Sequence, residues 1–262
     1  MIKIRRKFIA IVLIVIIGFL ISLILMKYPN ILQVKEESEV TTNMITYFEN
    51  SPGYLAKPAK GGQYPGIVMI HEWWGLNEHI KNMASELASE GYIVLAVDLY
   101  EGQVATTSEE ARQLVSSLDQ EKALKNLRTA VSYLRTHENV TIVTSLGWCF
   151  GGGQSLQLAL SGEVLDATVI YYGDLVTNES QLSMISWPVL GIFGDQDAVI
   201  PVSQVEAFKA SLNNLGIENE IYIYPGVGHA FANPSSQAFA SKEAQDAWQK
   251  TLVFLDEHLK IR

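Results

Sequence analysis

One cysteine, Cys149, stands in 262 residues, so no disulfide can form within the chain and cysteine pairing says nothing about the redox compartment. Basic residues are scarce too, 19 lysines and arginines against 28 aspartates and glutamates. Five of the basic residues (Lys3, Arg5, Arg6, Lys7 and Lys27) fall in the first thirty positions, which leaves 14 against 28 acidic side chains in the rest. Such a surplus repels nucleic acid and offers no broad basic face for phosphate. No internal repeat or low-complexity tract interrupts the chain. His71 and Glu72 are of metal-ligand type, but no second pair in the H-E-x-x-H manner completes a site, so no metal is expected; nor is any other cofactor.

Long apolar runs are confined to one place. Phe8 to Met26 is nineteen residues of nearly unbroken apolar sequence behind a basic flank, enough to span a bilayer. Leu25-Met26-Lys27-Tyr28-Pro29 carries no small-residue exit of the A-x-A kind, which favours an uncleaved anchor. Lysine and arginine stay on the cytoplasmic side, so Met1 is expected inside and the remainder outside the membrane. The expected organisation is a signal anchor over residues 1–29, a polar acidic linker over 30–42 and one domain over 43–262.

Within that domain, extended and helical patterns alternate. Met44 to Ala56 reads as a hairpin broken at Asn50-Ser51-Pro52-Gly53. Apolar runs follow at Gly66–His71, Tyr92–Val97, Val140–Leu146, Ala167–Tyr172, Val189–Phe193 and Ile221–Tyr224. Between them, apolar residues recur at helical spacing around Ile80–Ala88, Ala123–Leu134, Gly152–Leu160, Val202–Leu215 and Ala244–Leu259. Runs apolar throughout and alternating with helices imply a mostly parallel central sheet covered on both faces. Ligands in such sheets bind at the carboxyl ends of the strands.

The chemistry-bearing residues fall at those ends. Gly147-Trp148-Cys149-Phe150-Gly151 follows the third of these apolar runs and places a thiol between glycines on a sharp strand-to-helix turn, G-x-nucleophile-x-G. The helix N-terminus there favours a thiolate. A free thiol is only a few per cent ionised at neutral pH, so a base within reach and an acid behind it are expected. His229, in a glycine-rich loop after the last strand, fits the base better than His258 on the final helix. For the acid, Asp195 and Asp197 compete in Gly194-Asp195-Gln196-Asp197. Reach along the loop favours Asp197, with Asp195 capping backbone groups. Backbone N–H groups of Phe150 and of Trp73, in the His71-Glu72-Trp73-Trp74-Gly75 loop, are the expected oxyanion donors. Trp74, Tyr100 and Phe231 would give apolar pocket walls.

HEWWGLN at 71–77, VDLYEG at 97–102, GWCFGG at 147–152, GDQDAVIP at 194–201 and GVGHAF at 226–231 together resemble the dienelactone hydrolase family, cysteine-dependent members of the α/β-hydrolase fold. The resemblance covers about Thr42 to His258. It implies Cys149, Asp197 and His229 as a triad, and a Glu72 that contacts the nucleophile and helps convert thiol into thiolate when substrate binds. It departs in one respect. Members that open dienelactone hold the substrate carboxylate with arginines after the DLY motif and shortly after the histidine; here those places read Glu101-Gly102-Gln103 and Phe231-Ala232-Asn233-Pro234. The expectation is therefore hydrolysis of a carboxylic ester or lactone through an acyl-enzyme, on a neutral substrate at least as readily as an anionic one. A thioesterase or acyl transferase acting on envelope or lipid esters is the alternative within the fold, and a non-catalytic membrane-tethered binding protein the alternative outside it.

Overall fold

The structure is a computed structural model that describes residues 39–260. The apolar run at residues 8–26, and with it the expected anchor, lies outside the described residues; among the described residues no helix is long and apolar enough to cross a membrane.

Eight strands form one sheet in the order β1-β2-β4-β3-β5-β6-β7-β8. β1 (Val40–Phe48) and β2 (Ser51–Pro58) make the hairpin, and β2 runs antiparallel to β4 (Ile93–Val97). From there β3 (Gly66–Ile70), β5 (Val143–Trp148), β6 (Ala167–Tyr171), β7 (Val189–Gly194) and β8 (Asn219–Tyr224) are all parallel. Every residue of β3 to β7 is buried, the mark of strands covered on both faces. The edges differ in kind: β1 exposes Thr41, Thr42, Asn43 and Met44 in succession, polar residues mostly, which blunt an edge against pairing with another chain.

The cover comes from α1 (Glu78–Ser89), α3 (Gln120–His137), α4 (Phe150–Leu160), α6 (Val202–Asn214) and α7 (Ser241–Leu259), with two smaller helices, α2 (Ser108–Ser116) and α5 (Glu179–Leu182). Local chemistry sets their starts. Asn77 caps α1 by accepting from the Ile80 N–H, and Asp119 caps α3 by accepting from Glu121 and Lys122. Thr107 and Glu110 form a reciprocal capping box on α2.

Several boundaries depart from expectation, and three of them show why. β1 begins at Val40, inside the segment expected as linker, because Val40, Thr41 and Thr42 pair with Pro58, Lys57 and Ala56. The nucleophile strand is displaced towards the turn, running to Trp148, because Gly147 and Trp148 pair with Ile170 and Tyr171. α4 accordingly starts at Phe150 rather than at Gly152. The small helices α2 and α5 bury only Ala111 and Leu182 respectively, too little apolar face to register as periodicity.

Candidate active site

The turn after β5 is built by close approach. A Cβ on Gly147 would lie 2.2 Å from the Gly151 carbonyl oxygen, and one on Gly151 would lie 2.4 Å from that of Ile70. Only glycine lets the strand, the helix start and the neighbouring strand approach this closely. Between them Cys149 takes φ 55° and ψ −121°, a conformation rare for a side-chain-bearing residue. It is pinned there by its N–H donating to the Tyr171 carbonyl at 2.9 Å and its carbonyl accepting from Gly153 at 3.1 Å.

Three loops converge on the thiol. The loop after β8 brings His229 Nε2 to 3.0 Å from Cys149 Sγ. The loop after β7 brings Asp197 Oδ2 to 2.8 Å from His229 Nδ1. The other oxygen of Asp197 accepts from the N–H groups of Val199 and Ile200 at 2.7 and 3.0 Å, which fixes the carboxylate. Burial pushes the Asp197 pKa up, but the bonds from His229, Ile200 and Val199 outweigh it and the net direction is down. For His229, burial opposes the charged form, and the bonds to Asp197 and Cys149 overcome it and carry the pKa up to about 10. Asp195 is placed otherwise: its Oδ1 accepts from the Gly226 N–H at 2.7 Å and ties the two loops together.

The loop after β3 supplies the fourth side. Glu72 is 3% exposed and accepts a hydrogen bond from Asn233 Nδ2, on the loop that carries His229. Burial raises its pKa, against the lowering effects of Asn233 and of His229, to about 7. Phe150 opens α4, where first-turn N–H groups lack intrahelical acceptors. Trp73 and Trp74 are half-buried and meet edge to face at 5.0 Å. Tyr100 is nearly enclosed, its ring 5.7 Å from that of Phe150, and borders a cavity of about 230 Å³ that Glu101, Leu114 and Lys122 also line. Phe231, expected as a pocket wall, is fully buried between Tyr172 and Tyr224; it supports the site from behind.

His71 is committed to packing. Its Nδ1 donates to the Glu72 carbonyl at 2.5 Å while its Nε2 accepts from the Leu99 N–H at 3.1 Å. Both ring nitrogens are spent, and neither is left for a metal. The one group of three metal-type ligands gathered together among the described residues is Glu220, Glu257 and His258. Glu220 is near the amino end of β8, the end opposite the loop that carries His229.

Asn233 and Tyr172 were not legible as site residues. Nothing in the spacing of Phe231-Ala232-Asn233-Pro234 marks an amide that reaches Glu72, and Tyr172 reads as the last residue of an apolar run.

A family model, the dienelactone hydrolase family, matches residues 51–259. The chain belongs to that family. A "Putative carboxymethylenebutenolidase" of Yersinia pestis is 30% identical over 224 residues, 79% of this chain and 84% of that one. A "Probable 2-oxo-3-(5-oxofuran-2-ylidene)propanoate lactonase" of Bradyrhizobium is 30% identical over 226 residues, 80% of this chain and 91% of the relative. Among solved structures, a "Putative Dienelactone Hydrolase" of Klebsiella pneumoniae superposes with a TM-score of 0.76 at 27% identity, covering 84% of this chain and 99% of the other. A dienelactone hydrolase-like promiscuous phosphotriesterase from metagenomic libraries superposes at 0.78 with 22% identity, a likeness of fold. This dienelactone hydrolase family member is a carboxylic ester or lactone hydrolase with the α/β-hydrolase fold.

Proposed function

We propose that this chain hydrolyses a neutral carboxylic ester or lactone through a Cys149–His229–Asp197 triad. The observation that carries the reading is the continuous relay from Asp197 Oδ2 through the two nitrogens of His229 to Cys149 Sγ, at 2.8 and 3.0 Å. Asp197 holds the ring so that Nε2 faces the sulfur and stabilises the imidazolium. His229 takes the thiol proton, and Cys149 Sγ forms a bond to the carbonyl carbon. The carbonyl oxygen gains negative charge, which the Phe150 and Trp73 N–H groups stabilise. Collapse breaks the carbon–oxygen bond as His229 returns the proton to the leaving oxygen. Water then attacks the thioester, His229 removes a proton from it, and the carbon–sulfur bond breaks to release the acid and restore the thiol.

Two features support an uncharged substrate. Asn233 is engaged with Glu72. Lys122, the cation beside the cavity at Tyr100, is held by Glu49 and Glu101. No free arginine or lysine among these residues offers the bidentate or point-charge contact that a substrate carboxylate needs. The apolar run at 8–26 adds the reading that the domain works outside the cytoplasm, tethered to the membrane.

The test is hydrolysis of p-nitrophenyl acetate by the wild type and Cys149→Ala, with and without iodoacetamide. Loss of roughly 10³-fold or more in kcat/KM in the variant and after alkylation is expected, as when the nucleophile of a triad is removed. Equal rates in all samples would remove Cys149 from the reaction. Faster turnover of the matching thioester, measured beside it, would move the substrate to the thioesterase alternative.

A further inference from the structure

Among the described residues, two side-chain polar atoms are buried without a hydrogen-bond partner, the hydroxyls of Tyr100 and Tyr172. Other buried tyrosines of this chain avoid that condition. Tyr47 bonds Asn126, Tyr224 bonds Asp246 at 2.7 Å, and Tyr171 bonds both Thr251 Oγ1 at 2.5 Å and the Ala247 carbonyl at 3.1 Å. A buried hydroxyl with no partner destabilises the fold, so each such group calls for an explanation.

The two unpaired hydroxyls have one neighbour in common. Burial is the main cause that holds each phenol protonated, and Cys149 adds to it in both. Their elements approach the thiol from opposite sides along the sheet, Tyr100 after β4 and Tyr172 after β6, with β3 and β5 between. The Tyr100 ring packs 5.7 Å from Phe150, and the Tyr172 ring meets His229 edge-on at 5.2 Å. Tyr172 also takes φ 35°, a left-handed conformation that costs a bulky residue free energy and persists at ligand sites. The acidic groups acting on Tyr172 are Glu72, Cys149, Tyr171 and Asp197.

We infer that the Tyr172 and Tyr100 hydroxyls are donors held for the substrate, forming hydrogen bonds to oxygens of the ester seated on Cys149 and selecting an uncharged ester over one that bears a carboxylate. This rests on the hydrolase reading above. A hydroxyl offers a dipole without a cation, and the acidic surroundings repel an anion.

The experiment uses the full-length chain as wild type, Cys149→Ala, Tyr172→Phe, Tyr100→Phe and the double Phe variant, with p-nitrophenyl acetate and mono-4-nitrophenyl succinate as probes. Thermal unfolding and the rate of Cys149 alkylation by iodoacetamide are measured on the same samples. Each Phe substitution removes one oxygen and keeps the ring. Tyr172→Phe is expected to lower kcat/KM on the acetate by about 10- to 100-fold, the scale of losing one donor to the reacting group, with alkylation unchanged and the unfolding midpoint equal or higher. Wild type should favour the acetate over the succinate. Wild-type turnover in both single variants and in the double overturns the inference while the hydrolase reading stands. So does lost turnover accompanied by slowed alkylation or a lower midpoint, since the hydroxyls would then be structural. Equal use of the two esters by wild type overturns the charge selection. Equal rates in wild type and Cys149→Ala bring down the hydrolase reading itself, and this inference with it.

Discussion

Two histidines follow strands at the carboxyl edge of the sheet, each beside a carboxylate, and they have opposite roles. His71 has Asp98 at 4.0 Å and is fully buried; His229 has Asp197 at 2.8 Å and keeps about a quarter of its side chain exposed. The second ring nitrogen separates them. In His71 it accepts the Leu99 N–H, so the ring must stay neutral, and burial lowers its pKa accordingly. In His229 it faces the Cys149 sulfur, and acceptors on both sides raise the pKa. A nearby carboxylate therefore does not make a histidine a base; an acceptor on the opposite nitrogen and an open side do.

The comparison breaks most visibly at the acid. Asp197→Asn keeps the size of the side chain and removes the charge that holds His229, and kcat on p-nitrophenyl acetate should fall roughly 10²- to 10⁴-fold, as for the loss of a triad acid. Asp195→Asn, two residues away, should leave kcat within about threefold, because Asp195 accepts from the Gly226 N–H and from Gln196 Nε2 and does not touch His229. The reverse ranking would mean that the bond at 2.8 Å is not the one that matters.

His71→Leu tests the other side. It leaves the Leu99 N–H and the Glu72 carbonyl without their partner in a buried place, and stability should drop by about 2–4 kcal/mol in urea titrations. Turnover per folded molecule should hold within about tenfold. A variant of normal stability and no activity would make His71 a participant in the chemistry rather than a strut between two loops.

Much of this was readable from the chain because the signals are local. The glycines around Cys149, the apolar runs of β3 to β7 and the position of His229 after a strand each follow from steric or periodic rules acting over a few residues. What could not be read depends on who meets whom. Val40 to Thr42 look like linker until Ala56 to Pro58 lie beside them. Nothing in the sequence says what His71 bonds until Leu99 takes one ring nitrogen and the Glu72 carbonyl the other. Phe231 looks like a wall until Tyr172 and Tyr224 enclose it. The difference between Tyr171 and Tyr172, adjacent and identical in sequence terms, exists because Thr251 and the Ala247 carbonyl, 80 and 76 residues away, meet the Tyr171 hydroxyl.

Glu72 joins the two histidine regions, since its backbone carbonyl accepts a hydrogen bond from His71 Nδ1 and its carboxyl feels the charge of His229. Burial, opposed by Asn233 and His229, raises its pKa from 4.5 to about 7, so the native state binds this proton more tightly than the unfolded chain does. Ionising Glu72 thus weakens the fold: the penalty is absent below about pH 4.5, grows as pH rises towards 7 and is constant above. Glu72→Gln removes it while keeping an acceptor for Asn233. The variant should match wild type in unfolding free energy near pH 4 and exceed it at pH 8, by at most about 3–4 kcal/mol. A difference independent of pH would show that Glu72 does not titrate in this interval, and that the coupling between the two loops is steric rather than electrostatic.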